Sequence, residues 1–361
     1  MYSFEPSEEQ KMLIEAVSRY ASSDLRTAAH DAEENKELPP KLISKGWELG
    51  VLQASIPETY GGFGERSAVT GALAAEEMAF GDLGGALAVG TPGLFALPIL
   101  LAGSEEQKKH YLPPIIEADW KAYTAALIEP TFDFDPNEMN TTAKAEGGDY
   151  ILNGEKTFVP FADKAEAMII YARLESATKA FIVAKGAAGL KVAADREKFM
   201  GLNSIPFFKV TLEGVKVPAA AMLPGDFSPV LAASRVAVAA MAVGVARAAF
   251  AYSRDYAKDR DVFGVKVAQK QAVAFMLAEM ATEIEAIRLL VWEAGWAIDT
   301  KKEDASQKAY LAVTGAIDMA MMVTDRAVQI LGGHGYIREH PVELWMRNGR
   351  GFATFTGLAM V

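Results

Sequence analysis

The sequence predicts an α+β chain in three parts: an N-terminal helical domain, a middle antiparallel β-barrel or sandwich, and a C-terminal four-helix bundle. Three observations predict it. Apolar residues recur at helical spacing up to about residue 120, at strand spacing from about 121 to 228, and again at helical spacing, over longer stretches, from 229 to 361. The helical and strand segments come in blocks rather than in βαβ alternation, and no GxGxxG loop occurs, which argues against a doubly wound parallel sheet. A length of 361 residues suits two or three domains at about 150 residues each.

Within 1–120, EEQKMLIEAVSRYASS sets Met12, Ile14, Val17 and Tyr20 on one expected helical stripe. LPPKLISKGWELGVLQASIPETYGGFG runs into a Pro/Gly loop, and SAVTGALAAEEMAFGDLGGALAVG reads as one small-residue helix suited to close internal packing. Within 121–228, the runs YILNGEKTF, AMIIYARL, KAFIVAK, LKVAAD and FFKVTLEGVKVP are rich in Val, Ile, Phe and Tyr and are punctuated by Gly, Asp and Asn, as in antiparallel strands. From 229 onwards come three long helices, the third stopped by Gly332-Gly333, and a short fourth. Met276, Met280, Met319, Met321 and Met322 are expected in the bundle core.

Composition excludes several functions. The net charge of −11, from 36 basic and 47 acidic residues, would repel nucleic acid, and no local basic patch offsets it. The chain has no cysteine, which excludes disulfides, thiolate metal sites and a cysteine nucleophile and suits a reducing cytoplasm. The four histidines, His30, His110, His334 and His340, show no i, i+4 pair, so no metal site is expected. No GxSxG elbow is present. No unbroken apolar run reaches the roughly 18 residues of a membrane span, and MYSFEPSEEQ has neither the basic nor the apolar region of a signal peptide.

Seven segments, in order, carry a resemblance: GVLQASIPETYGG, LAGSEEQKKHYLPPI, YILNGEKTF, LEGVKVP, RDVFG, QAVAFMLAEM and AVQILGGHGYIREHPVELWMR. With them the chain resembles the acyl-CoA dehydrogenase family over nearly its whole length. The resemblance implies FAD, which takes a hydride from Cβ of an acyl-CoA thioester while a glutamate takes the α proton; a missing general base typically costs about 10²–10⁴-fold.

Against that family the chain departs at three places. The usual glutamate position holds Thr356, and the alternative position, early in the first bundle helix beside Arg235, holds Ser234. No catalytic residue is therefore assigned, and Arg235 itself is expected in a structural ion pair. In IEPTFDFDPNEM, Ile128 replaces the family's threonine, and Phe132, Asp133, Phe134 and Asp135 fill what would be a glycine-rich turn against the flavin and its pyrophosphate. Asp133 and Asp135 are read as turn residues before replacement bases. Phe158-Val159-Pro160 replaces tryptophan-isoleucine-threonine, and Pro160 has neither a hydroxyl nor a backbone N–H.

The residues that a neighbouring subunit supplies in this family are kept: Arg260, Phe263, Gln271, Gln329, Gly332 and Gly333. Arg260 suits a diphosphate and the glycines suit a close approach; helix capping would account for Arg260 and the two glycines as well. The resemblance therefore implies a non-catalytic subunit, sharing FAD across an interface with a related catalytic acyl-CoA dehydrogenase chain, in a cytoplasmic dimer or dimer-of-dimers tetramer. Such α₂β₂ members are associated with steroid side-chain degradation. An active flavoenzyme with a relocated base, and a flavin-free scaffold or acyl-CoA-binding protein, are the alternatives. The apolar end GFATFTGLAMV stands where the family has its catalytic loop.

Overall fold

The structure is a computed structural model that describes residues 5–116, 119–352 and 355–361. The N-terminal part is helical as expected: α1 (Glu8–Tyr20), α2 (Arg26–Asn35), α3 (Pro40–Trp47), α4 (Val51–Ala54), α5 (Ala68–Gly81), α6 (Leu83–Gly90), α7 (Gly93–Ala102) and α8 (Glu105–Ile116). A capping box starts α1, with Gln10 N–H donating to Ser7 Oγ and Ser7 N–H donating to the Gln10 side chain. Val17 and Tyr20 are buried, but Met12 is 72% exposed. The expected stripe was too wide: five residues, at about 100° each, place Met12 roughly 140° round the helix from Val17.

The single small-residue helix expected over 67–90 is two helices. Asp82 adopts an extended backbone and accepts a hydrogen bond from Gly85 N–H at 2.7 Å, capping α6 directly after α5 ends. Asp82 is buried, and burial pushes its carboxyl up to about 6, outweighing the Gly85 hydrogen bond and the charge of Arg26. The folded carboxyl thus holds its proton more readily than the unfolded one, so wild type loses stability from this group as pH rises from about 4 to 6. Asparagine keeps a capping oxygen without the charge. Stability of Asp82→Asn relative to wild type should therefore rise across that range, by up to about 3 kcal/mol at about 1.36 kcal/mol per pH unit. Urea titrations at pH 4 and pH 7 check this; an unchanged difference would show that Asp82 stays ionised throughout.

The middle part is one curled sheet of β1 (Tyr123–Ala126), β2 (Thr142–Glu146), β3 (Asp149–Pro160), β4 (Ala167–Leu174), β5 (Ala177–Ala184), β6 (Leu190–Val192) and β7 (Phe207–Pro218). It runs β1-β4-β2-β3-β7-β6, with β5 on the other edge of β4. The expectation of a purely antiparallel sheet is corrected: β1 and β2 both pair with β4 in parallel. The reason is local. β1 lies along residues 167–170 of β4 and β2 begins at 173–174, so the two dock end to end on one edge and the chain between them loops out. That loop contains the 128–139 segment.

The last part is a bundle of α9 (Phe227–Asp259), α10 (Gln271–Asp299), α11 (Ala305–Leu331) and α12 (Val342–Phe352), with the short hairpin β8 (Asp261–Val262) and β9 (Val265–Lys266) after α9. α9 packs against α5, α10, α11 and α12 and is apolar nearly all round. It is long and apolar enough to cross a bilayer, although no unbroken apolar run suggested it. Of its most apolar window, 89% is buried inside the protein, which is a sufficient reason for that composition. Gly244 lets α5 approach: a Cβ there would stand 2.2 Å from Glu76 O. Beside it, buried Glu76 pairs with Arg247 and Arg288. Met280 and Met319 are core as expected, while Met276, Met321 and Met322 are half-buried.

Candidate functional site

Where the looped-out segment of the sheet faces the bundle, a cleft of about 730 Å³ opens. Thr131, Phe132 and Phe134 form one wall, Thr157 and Phe158 of β3 its floor, Arg235 of α9 and Tyr310 of α11 the opposite wall, and Phe355 and Thr356 one end. Residues of all three departures from the family thus converge on one cleft.

Both base positions lie together but carry only hydroxyls. Thr356 lines the cleft. Ser234 is buried and its Oγ accepts a hydrogen bond from Gly357 N–H at 2.8 Å, which ties α9 to the C-terminal loop. Among the described lining residues the only carboxylate is Glu129. It is buried, accepts N–H bonds from Asn140 and Thr141 at 2.7 Å each, and pairs with Lys156 Nζ at 3.0 Å. Burial pushes the Glu129 carboxyl up, but Lys156 and the N–H donors outweigh it and hold it below the ordinary range. Lys156 is itself buried; burial pulls its ammonium down to about 8 although Glu129 opposes this, and it also donates to Leu127 O at 3.0 Å. A carboxylate so occupied with donors is a poor proton acceptor. Asp133 and Asp135 are exposed, and Asp135 accepts from Asn137 N–H at 2.8 Å, as a turn residue would.

The residues at this end do not fit a flavin ring. Thr157 Oγ1 and Phe158 N–H both donate to Glu197, Thr157 N–H donates to Ile128 O, and Thr131 N–H donates to Glu129 O. Ile128 and Pro160 have no side-chain donor, and Pro160 no backbone one. The Phe158 ring lies 4.4 Å from that of Phe355 and stacks at 4.7 Å on Phe199, closing the space between β3 and the C-terminal loop. Phe158 holds φ +57°, a left-handed backbone that a bulky residue rarely adopts. One expectation is corrected: Phe132 does not fill the 131–135 turn but stands fully exposed at the cleft mouth, while Phe134 packs inward. A second is corrected too. Arg235 has no ion pair among the described residues; its guanidinium lies over the Tyr310 ring at 5.0 Å.

The six residues expected to serve a neighbour lie elsewhere. Arg260 is the C-cap of α9, Phe263 and Gln271 follow in the hairpin and at the start of α10, and Gln329, Gly332 and Gly333 end α11. The Tyr256–His334 hydrogen bond, 2.8 Å, joins the α9 end to the α11 end. All six are exposed, and Phe263 is 93% so. Gly332 has φ +58° and ψ −128°, which favours glycine, but a Cβ at Gly332 or Gly333 would meet nothing within 4 Å. This surface is open to another molecule. Arg235 and Arg260 stand about 37 Å apart along α9 at about 1.5 Å per residue, so the cleft and this surface lie at opposite ends of α9.

Sequence reasoning missed the stack of His334 on His340, 5.2 Å apart, with Tyr256 and Tyr252 on their Nδ1 atoms. Among the described residues no cluster suits a metal ion.

Comparison with known proteins agrees with this architecture. Family models described as the N-terminal, middle and C-terminal domains of acyl-CoA dehydrogenase match residues 7–119, 124–215 and 227–359. A caffeyl-CoA reductase–Etf complex subunit of Acetobacterium woodii is 34% identical over 98% of this chain and 96% of its own. Butyryl-CoA dehydrogenase of Megasphaera elsdenii superposes with a TM-score of 0.88 at 31% identity, over 99% of this chain and 97% of that one. PigA, solved as an FAD complex, gives a TM-score of 0.89 at 25% identity, over 99% and 96%. The chain belongs to the acyl-CoA dehydrogenase family.

Proposed function

We propose that this chain is a non-catalytic subunit of a flavin-dependent acyl-CoA dehydrogenase, lending its exposed bundle-end residues to FAD held by a related catalytic chain. The observation that carries this is the missing base. Thr356 in the cleft and Ser234 buried behind it stand at the two base positions, and Glu129, the only carboxylate among the described lining residues, is locked to Lys156 and two N–H donors. No group there accepts an α proton near neutral pH. The ring-side mismatch and the open arginine and glycines at the far end support the division of labour. The acyl-CoA thioester would then react in the partner's cleft, in a cytoplasmic dimer or dimer of dimers, with steroid or lipid degradation as the setting.

The chain purified alone should be colourless, because its own ring contacts are missing. Stoichiometric flavin absorbance in the purified chain would overturn the proposal. Thr356→Glu in the isolated chain should also give no acyl-CoA turnover, since a carboxylate alone does not restore the ring site. Turnover of any acyl-CoA by that variant, measured with an artificial electron acceptor, would show the cofactor site to be complete.

A further inference from the structure

Arg235 is the only arginine among the described lining residues of the cleft, and it forms no ion pair with a carboxylate among the described residues; its guanidinium lies over the Tyr310 ring. Other half-buried bundle arginines are paired: Arg247 and Arg288 with Glu76, and Arg347 with Glu33 and Glu343. The acid whose charge reaches Arg235 is Asp135, which is exposed and turned to Asn137. A half-buried guanidinium left unpaired is costly to hold, whereas one stacked on an aromatic face presents its donor fork edge-on to a planar carboxylate.

The rest of the cleft says what accompanies the anion. Phe132, Phe134, Phe158 and Phe355 supply aromatic walls, and Phe132, fully exposed, has no packing role of its own. Beyond Thr356, Leu358, Ala359 and Val361 are buried, Val361 packs on Gly71 of α5, and Arg66 Nε donates to Val361 O at 3.1 Å.

We propose that this cleft binds a small aromatic carboxylate, its carboxylate on Arg235 and its ring among Phe132, Phe134, Phe158 and Phe355. The proposal rests on the reading above that this chain's own cleft holds no flavin. Ring stacking supplies affinity and the arginine fork discriminates for the free acid.

Calorimetric titration of the full chain with trans-cinnamate, its neutral isostere cinnamamide, and hexanoate tests it. Cinnamate should bind at least about tenfold more tightly than either, since a charge-assisted bond is lost with the amide and the ring contacts with hexanoate. Arg235→Gln should abolish the preference of acid over amide, and Arg235→Lys should keep part of it. Equal binding of acid and amide to wild type, no cinnamate binding at millimolar concentration, or an undiminished preference in Arg235→Gln would each overturn the proposal. Should Arg235→Gln not fold, the acid–amide comparison on wild type still decides. A chain that purifies yellow defeats the non-catalytic reading itself; a colourless chain indifferent to the carboxylate defeats only this proposal.

Discussion

Lys156→Met is expected to destabilise the chain by about 3–5 kcal/mol, the cost of breaking a buried ion pair by removing one partner. Lys156 and Glu129 have side chains 0% and 2% exposed, and Nζ serves both the carboxylate and Leu127 O. Methionine fills much of the volume but leaves Glu129 charged in an apolar interior with two N–H donors only. At about 2.1 cal/mol/K per residue, that loss lowers Tm by roughly 4–7 °C for a chain of 361 residues. In wild type the Glu129 carboxyl is held low, so its contribution is present above its unfolded pKa and lost as pH falls through the folded one. In the variant the counter-charge is gone and the carboxyl moves up. The variant should therefore be less impaired at pH 5 than at pH 7, where Lys156 of wild type, pulled down to about 8, still carries most of its charge. Adding Glu129→Gln should recover part of the loss, because a neutral amide is cheaper to bury. Thermal melts of the three variants at both pH values check it. A Lys156→Met protein melting within about 1–2 °C of wild type at pH 7 would mean that water or relaxation solvates Glu129, and the pair contributes little.

The block order of helix, sheet and bundle was legible because each block repeats its period over many residues. The identities of Thr356 and Ser234 were read directly from the chain, whereas their meeting beside one cleft was not. Less visible was what depends on two distant segments meeting. Nothing near Ser234 in the chain announces that it accepts a hydrogen bond from Gly357. Arg235 looked like an ion-pair residue because arginines inside bundles usually are; that it lies over Tyr310 of α11 while Asp135 on the 131–135 turn accepts from Asn137 instead is a fact about two distant segments together. The parallel pairing of β1 and β2 with β4 was hidden for the same reason, as it follows from two short strands sharing one edge. The α5–α6 break was a different kind of miss. Gly81-Asp82 is a stop followed by an N-cap, and the alanine-rich flanks concealed a local signal.

If this chain completes the FAD site of a catalytic partner as proposed, Arg260→Ala is expected to weaken FAD binding by the complex roughly ten- to a hundredfold. The value follows from one charge-assisted hydrogen bond, worth about 1.5–3 kcal/mol, at about 1.4 kcal/mol per tenfold. The side chain is exposed at the end of α9, whose C-cap it forms through backbone groups alone: Arg260 N–H donates to Tyr256 O and Arg260 O accepts from Val267 N–H, both at 2.9 Å. Alanine keeps both bonds, so the fold of the isolated chain should be nearly unchanged, as for most exposed arginines. The two measurements separate a cofactor contact from a capping role. FAD titrated into the apo complex reads the first, and melting of the isolated chain reads the second. A fall in FAD affinity with unchanged Tm places the bundle end of this chain at the partner's dinucleotide. Unchanged affinity with a lower Tm would make Arg260 a structural cap, and the exposed glycines Gly332 and Gly333 would then need another occupant.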